Sequence, residues 1–110
     1  MFDEAGVNIV AVMYPKAGKL EELSSHISDL SKHVQANEPD TLLYYAFANK
    51  DGNEITVVER YRDQTALQSH LLSSYFQDFG SRASPLMEKP YEVKVGSGFL
   101  PQSVGVLRGL

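Results

Sequence analysis

Two ionisable residues stand where the surrounding pattern calls for hydrocarbon. His70 follows Ala66 and Leu67 by about one helical turn and sits beside Leu71, on the apolar side of a segment that Asp63 is suited to cap. Glu59 shares one face of an alternating run with Ile55, Val57 and Tyr61. Buried ionisable groups need partners. A Glu and a His meeting beneath the helices would satisfy each other, and the carboxylate would orient the imidazole and raise its basicity. His70 is therefore a candidate general base for work near neutral pH. The plainer alternative is a structural His–Glu pair that only fastens a helix to a strand.

Other residues are candidates for binding. Asn8 interrupts an apolar strand and has two uses open to it, facing a pocket or bonding to backbone. Arg82 has two partners open to it, an anionic substrate or Asp78 four residues earlier. Tyr14, Tyr44, Tyr45, Tyr61 and Tyr75, with Phe47, Phe76 and Phe79, are enough aromatics to line a cavity, although aromatic clusters also serve as plain core.

Several chemistries are disfavoured. The chain has no cysteine, so thiolate metal sites, disulfides and a cysteine nucleophile are excluded. His26 and His33, seven residues apart, share a helix face but lack a third ligand nearby, and no metal is expected. Gly96-Ser97-Gly98 is not followed by a helix, and there is no G-x-S-x-G elbow. No cofactor is indicated.

The elements that must position these residues are legible from periodicity. Val7–Tyr14 reads as a first strand, closed by Pro15 and Gly18. Leu20, Leu23, Ile27, Leu30 and Val34 repeat at 3, 4, 3, 4 and predict a helix from Lys19 to Ala36, stopped by Asn37 and Pro39. Thr41–Ala48 and Glu54–Arg62 read as a β-hairpin joined through Asp51-Gly52. A second helix follows Asp63, with Ser73 offering a new cap and hence a kink, and Pro85 ending or bending it. Tyr91–Val95 alternates as an edge strand, interrupted by Gly96 and Gly98. The order β-α-β-β-α-β predicts an α+β, ferredoxin-like domain: a four-stranded antiparallel sheet with two helices on one face. The 110 residues fit one domain, with a core over residues 7–100 and a tail over 101–110. Val104, Val106, Leu107 and Leu110 make that tail apolar enough to dock, possible ground being a partner subunit.

Both faces of the predicted sheet are apolar. Val7, Ile9, Ala11 and Met13 oppose Val10, Val12 and Tyr14 on the first strand; Leu43, Tyr45 and Phe47 oppose Leu42, Tyr44, Ala46 and Ala48 on the second. Two helices cover one face only, so a homodimer is expected to cover the other. The ten Lys and Arg are scattered and the net charge is −4, which gives nucleic acid no landing stripe. No apolar run approaches membrane-spanning length, and Met1–Gly6 does not read as a secretory signal, so a cytoplasmic protein is expected.

Taken together, Tyr14-Pro15-Lys16-Ala17-Gly18-Lys19, Asn37-Glu38-Pro39-Asp40-Thr41, Glu59-Arg60-Tyr61, Asp63 to Leu67 and His70-Leu71-Leu72-Ser73-Ser74-Tyr75-Phe76 resemble the antibiotic biosynthesis monooxygenase family of dimeric α/β barrels. The resemblance spans Val7 to about Gly98. It implies oxidation of a quinol or other phenolic, lipophilic molecule by dioxygen without metal, flavin or haem, the deprotonated substrate itself reducing oxygen while the protein supplies a base, a dry pocket and orientation. It further implies His70, Glu59 and Tyr61 as the catalytic polar groups, with Asn8 and Arg82 as lesser pocket residues; of the aromatics, Tyr44, Tyr45, Phe76 and Phe79 are the candidates to surround the substrate. The haem-degrading relatives carry a Trp and a His where this chain has Tyr61 and Gly80, and there is no Trp anywhere, which argues against haem degradation. Anthrone-oxidising relatives also often carry Trp at the Tyr61 position. Two other uses of the pocket stay open at this point: a dimer that only sequesters a small ligand, and a proton-transfer isomerase built on the same groups.

Overall fold

The computed structural model describes residues 6–100. The apolar tail, residues 101–110, and with it the expected docking, lies outside the described residues. Strand β1 (Val7–Met13) leads through the Pro15–Gly18 turn into helix α1 (Leu20–Asn37), followed by β2 (Thr41–Ala48), β3 (Ile55–Tyr61), α2 (Gln64–Leu72), α3 (Ser74–Ala83), a short 3₁₀ turn (Ser84–Leu86) and β4 (Glu92–Ser97). The strands form one antiparallel sheet in the order β2-β3-β1-β4. This is the split βαβ arrangement that the periodicity predicts.

The helices pack on one face. Leu23, Ile27, Leu30 and Val34 of α1 are buried against Ala11, Met13, Ile55 and Val57 of the sheet. Burial of each such side chain stabilises the fold by about 1.5–3 kcal/mol. The hairpin turn uses Gly52 at φ +70°, where a Cβ would also press to 2.9 Å of Leu20. Asn49 completes the turn by accepting from the backbone N–H groups of Asn53 and Glu54.

The expected kink is a full break. At Ser73 the backbone turns extended (ψ 148°), so the predicted second helix is two helices. Strand β4 also differs from the reading: it continues through Gly96 to Ser97, because Gly96 pairs with Asn8 and the chain turns only at Gly98, φ +57°. Among the described residues no helix is long and apolar enough to cross a membrane.

The other face of the sheet carries Val10, Val12, Val58, Tyr45 and Phe47, as the register between β1, β2 and β3 requires. Tyr45 and Phe47 stack with ring centroids 6.4 Å apart, and each is about half exposed. On the helix side, Val93 and Val95 of the edge strand are also exposed, since α2 and α3 stop short of β4. That gap opens the space described next.

Candidate active site

The break at Ser73 is part of the site. The Ser73 hydroxyl donates to the His70 carbonyl at 2.7 Å and accepts from the Phe76 N–H at 3.2 Å. One side chain thus closes the end of α2 and starts α3. At the other end of α2, Asp63 accepts from the Ala66 N–H at 2.8 Å. His70, in the last turn of α2, is thereby held over β3 with 1% of its surface exposed.

The imidazole has two unlike edges. Its Nδ1 lies 2.9 and 3.0 Å from the two carboxylate oxygens of Glu38, the residue that ends α1. Its Nε2 is buried and has no hydrogen-bond partner among the described residues. The ring is packed between Phe76 (centroids 4.8 Å), Tyr61 (5.4 Å) and Tyr44 (5.8 Å). Glu38 also accepts from the Thr41 hydroxyl at 2.6 Å and from the Tyr75 hydroxyl. Burial pushes the Glu38 carboxyl upward, but the hydrogen bonds from Thr41, Tyr75 and His70 outweigh it and hold the group below its ordinary range. A carboxylate only accepts, so the proton of neutral His70 belongs on Nδ1 and the Nε2 lone pair is left free.

Glu59 occupies the opposite situation. Among the described residues it accepts one hydrogen bond, at 2.6 Å from the Tyr61 hydroxyl, and it is 9% exposed. Desolvation raises its carboxyl above the ordinary range, against the lowering effects of the Tyr61 bond and of His70. Burial also lifts the phenols of Tyr44 and Tyr61, with Glu59 adding to both, so neither ionises under ordinary conditions.

His70, Glu59 and Tyr44 line a cavity of about 640 Å³ between α2, α3 and the β1–β4 half of the sheet. Its walls are largely hydrocarbon, from Ile9, Ala11 and Met13 of β1, Leu67, Leu71, Phe76 and Phe79 of the helices, and Val93 and Val95 of β4. Glu88, Lys89 and Tyr91 stand in the loop before β4 that forms its rim. Such a volume suits a ligand of drug-like size.

The predicted site residues divide. His70, Glu59, Tyr44, Phe76 and Phe79 line the cavity, and Tyr61 touches both His70 and Glu59. Three do not join them. Tyr45 follows Tyr44 on a strand and so faces the other side of the sheet. Asn8 is also on that side, donating to the Gly98 carbonyl at 2.6 Å and accepting from Arg60 at 2.6 Å. Arg82 pairs with Asp78 at 2.8 Å on the exposed side of α3, in a groove between α1 and α3. The expected pairing of His70 with Glu59 is also corrected: Nδ1 is taken by Glu38. Glu38 is not among the candidate catalytic residues that the sequence suggests, yet its position carries a signal. An acid at a helix C-terminus works against the helix dipole, so it needs a reason to be there. Among the described residues no group of three His, Cys, Asp or Glu is placed to hold a metal ion.

Fold and site together define a ferredoxin-like α+β domain with an oriented histidine in the wall of an apolar cavity. Residues 6–82 match the model of the family described as antibiotic biosynthesis monooxygenase, and the chain belongs to that family. It is 31% identical over 80 residues to YcnE of Bacillus subtilis (strain 168), provisionally named a monooxygenase, a match covering 71% of this chain and 82% of that one. A crystal structure from Caulobacter crescentus, provisionally named an antibiotic biosynthesis monooxygenase, superposes with a TM-score of 0.82 at 26% identity, covering 87% of this chain and 92% of that one. The Rv0793 protein of Mycobacterium tuberculosis gives 0.81 at 22% identity, covering 89% and 99%, a likeness of fold.

Proposed function

We propose that this protein is a cofactor-independent monooxygenase that oxidises a small, lipophilic phenol or quinol-type molecule with dioxygen. The observation that carries the reading is the free Nε2 of a fully buried His70, oriented from behind by Glu38, in the wall of an apolar cavity. A phenol whose hydroxyl reaches Nε2 loses its proton to His70, and the dry surroundings leave an electron-rich anion. That anion is the reductant. A ring C–H and the O–H are converted to a quinone as one oxygen atom of O₂ joins the carbon and the other leaves as water. Glu59, raised toward its neutral acid form and supported by Tyr61, is suited to donate a hydrogen bond to the oxygen that becomes a carbonyl. Tyr44, Phe76 and Phe79 hold the ring system.

The working unit we infer is a homodimer. Val10, Val12, Val58, Tyr45 and Phe47 give the sheet a second apolar face that none of the described helices covers.

Oxygen uptake with a panel of naphthohydroquinones and anthrones tests the activity, and His70→Ala tests its seat. The variant is expected to lose about 10²–10⁴-fold in kcat/KM above the uncatalysed rate. Turnover that survives without oxygen would instead make the protein an isomerase, and an unchanged His70→Ala rate would remove the base from the mechanism.

A further inference from the structure

The reading of His70 as a base leaves open what keeps its supporting carboxylate in place. Glu38 stands at the end of α1, just before Pro39, where no helical hydrogen bond fixes its side chain. Its side chain is 11% exposed, so packing and hydrogen bonds must hold it. Thr41 is three residues away and comes with the turn. Tyr75 does not: it reaches Glu38 from the first turn of α3, across a separation of 37 residues, and its hydroxyl shares Oε2 with His70 Nδ1. The Tyr75 ring is itself held, stacked on His33 of α1 with centroids 5.2 Å apart and planes 11° from parallel.

We propose that Tyr75 is a positioning residue for His70, acting through Glu38: its hydroxyl fixes the carboxylate that sets which imidazole nitrogen carries the proton. The inference rests on the proposed role of His70, and it adds a residue that does not line the cavity. Three donors on one carboxylate divide its lone pairs so that Nδ1–H always finds an acceptor. Removing the Tyr75 hydroxyl frees Glu38 to rotate and takes away one of the bonds that hold its carboxyl low. The other groups around the imidazole stay as they are: Tyr44 from β2, Glu59 and Tyr61 from β3, and Phe76 from α3. Tyr75 is itself pushed up to about 12, first by burial and then by Glu38, so it serves as a neutral donor.

The test is Tyr75→Phe in the full chain, read in two ways. In ¹⁵N spectra of the ligand-free protein near neutral pH, the wild-type His70 ring is expected to show the Nδ1–H tautomer, and the variant to add the Nε2–H tautomer. In oxygen uptake, kcat is expected to fall several-fold, because part of the protein then holds the tautomer whose Nε2 cannot accept a proton, while KM stays unchanged. A folded variant with the wild-type ring spectrum would overturn the proposal. Tyr75→Leu separates hydroxyl from packing: both variants must show the tautomer change, whereas a change confined to Tyr75→Leu would assign Tyr75 a packing role and overturn the proposal. If no phenol in the panel is oxidised, the oxygenase reading falls and the ring spectra still decide the role of Tyr75.

Discussion

Two carboxylates flank His70, and their surroundings could hardly differ more. Glu38 ends a helix, takes three hydrogen bonds and is held below the ordinary carboxylate range. Glu59 lies mid-strand in the cavity wall, takes one hydrogen bond and is lifted above it. Burial pushes both the same way; the donors on Glu38 reverse the push there, while the Tyr61 bond and His70 do not reverse it at Glu59. An ionised acid behind the imidazole and a reluctant one in front divide the labour as acid–base sites commonly do, with like groups driven apart by environment. The ionised one fixes a tautomer. The other can offer a proton to a substrate oxygen.

The sharpest way to break this contrast is Glu38→Gln. The amide keeps the volume but can turn its NH₂ toward Nδ1, which would then have to accept and would leave Nε2 protonated. Loss of about 10²-fold or more in kcat/KM is expected, since a base in the wrong tautomer abstracts nothing. The same change replaces a charge-assisted set of bonds, and about 1.5–3 kcal/mol of stability should go with it, measured by urea unfolding at neutral pH. A Glu38→Gln enzyme with wild-type kcat/KM would show that Glu38 is only a structural anchor.

Glu59→Gln should do less to the rate and more to the pH dependence of stability. Because Glu59 is raised in the folded protein, the folded state binds more protons than the unfolded one between the ordinary carboxylate range and the raised value. Stability therefore falls as pH climbs through that window. Glu38 has the opposite sign: being lowered, it contributes stability that is present above the ordinary range and is lost as pH drops through its folded value. Melting temperatures followed from acid to neutral pH should thus lose their downward drift at the upper end in Glu59→Gln while keeping the acid-side loss. A drift that persists in the variant would assign it to another group.

Much of this was legible without coordinates. The 3, 4, 3, 4 spacing in α1 located its buried stripe residue by residue, and Asp63 and Ser73 marked both helix starts, because caps and amphipathic periods are local signals. His70 and Glu59 were visible as polar intrusions into apolar faces. Their relation was not. Whether Glu59 or Glu38 meets Nδ1 depends on how α1 ends beside α2 in space, which no spacing encodes. The Tyr44–Tyr45 pair shows a second limit. Adjacent strand residues face opposite sides, so composition could nominate both for a pocket while geometry admits one. Asn8 and Arg82 were each open to a structural partner, and each has one.

Arg82 also supplies the smallest expected effect. The contrast between the two acids assumes that substrate meets His70 from the Glu59 side. Tyr75, whose hydroxyl donates to Glu38, also lines a separate groove of about 490 Å³ between α1 and α3, together with His26, His33 and Arg82. Were an anionic substrate bound there, Arg82 would be its natural partner. Yet its guanidinium is occupied by Asp78 in an i,i+4 pair, and both side chains are about 60% exposed. An exposed pair of this kind contributes about 0.3–0.5 kcal/mol. Arg82→Ala should therefore lower stability by no more than that, with kcat and KM unchanged in steady-state oxygen uptake. A several-fold rise in KM would place the substrate in that groove, which neither His70 nor Glu38 lines, and would break the assignment of front and back to the two acids.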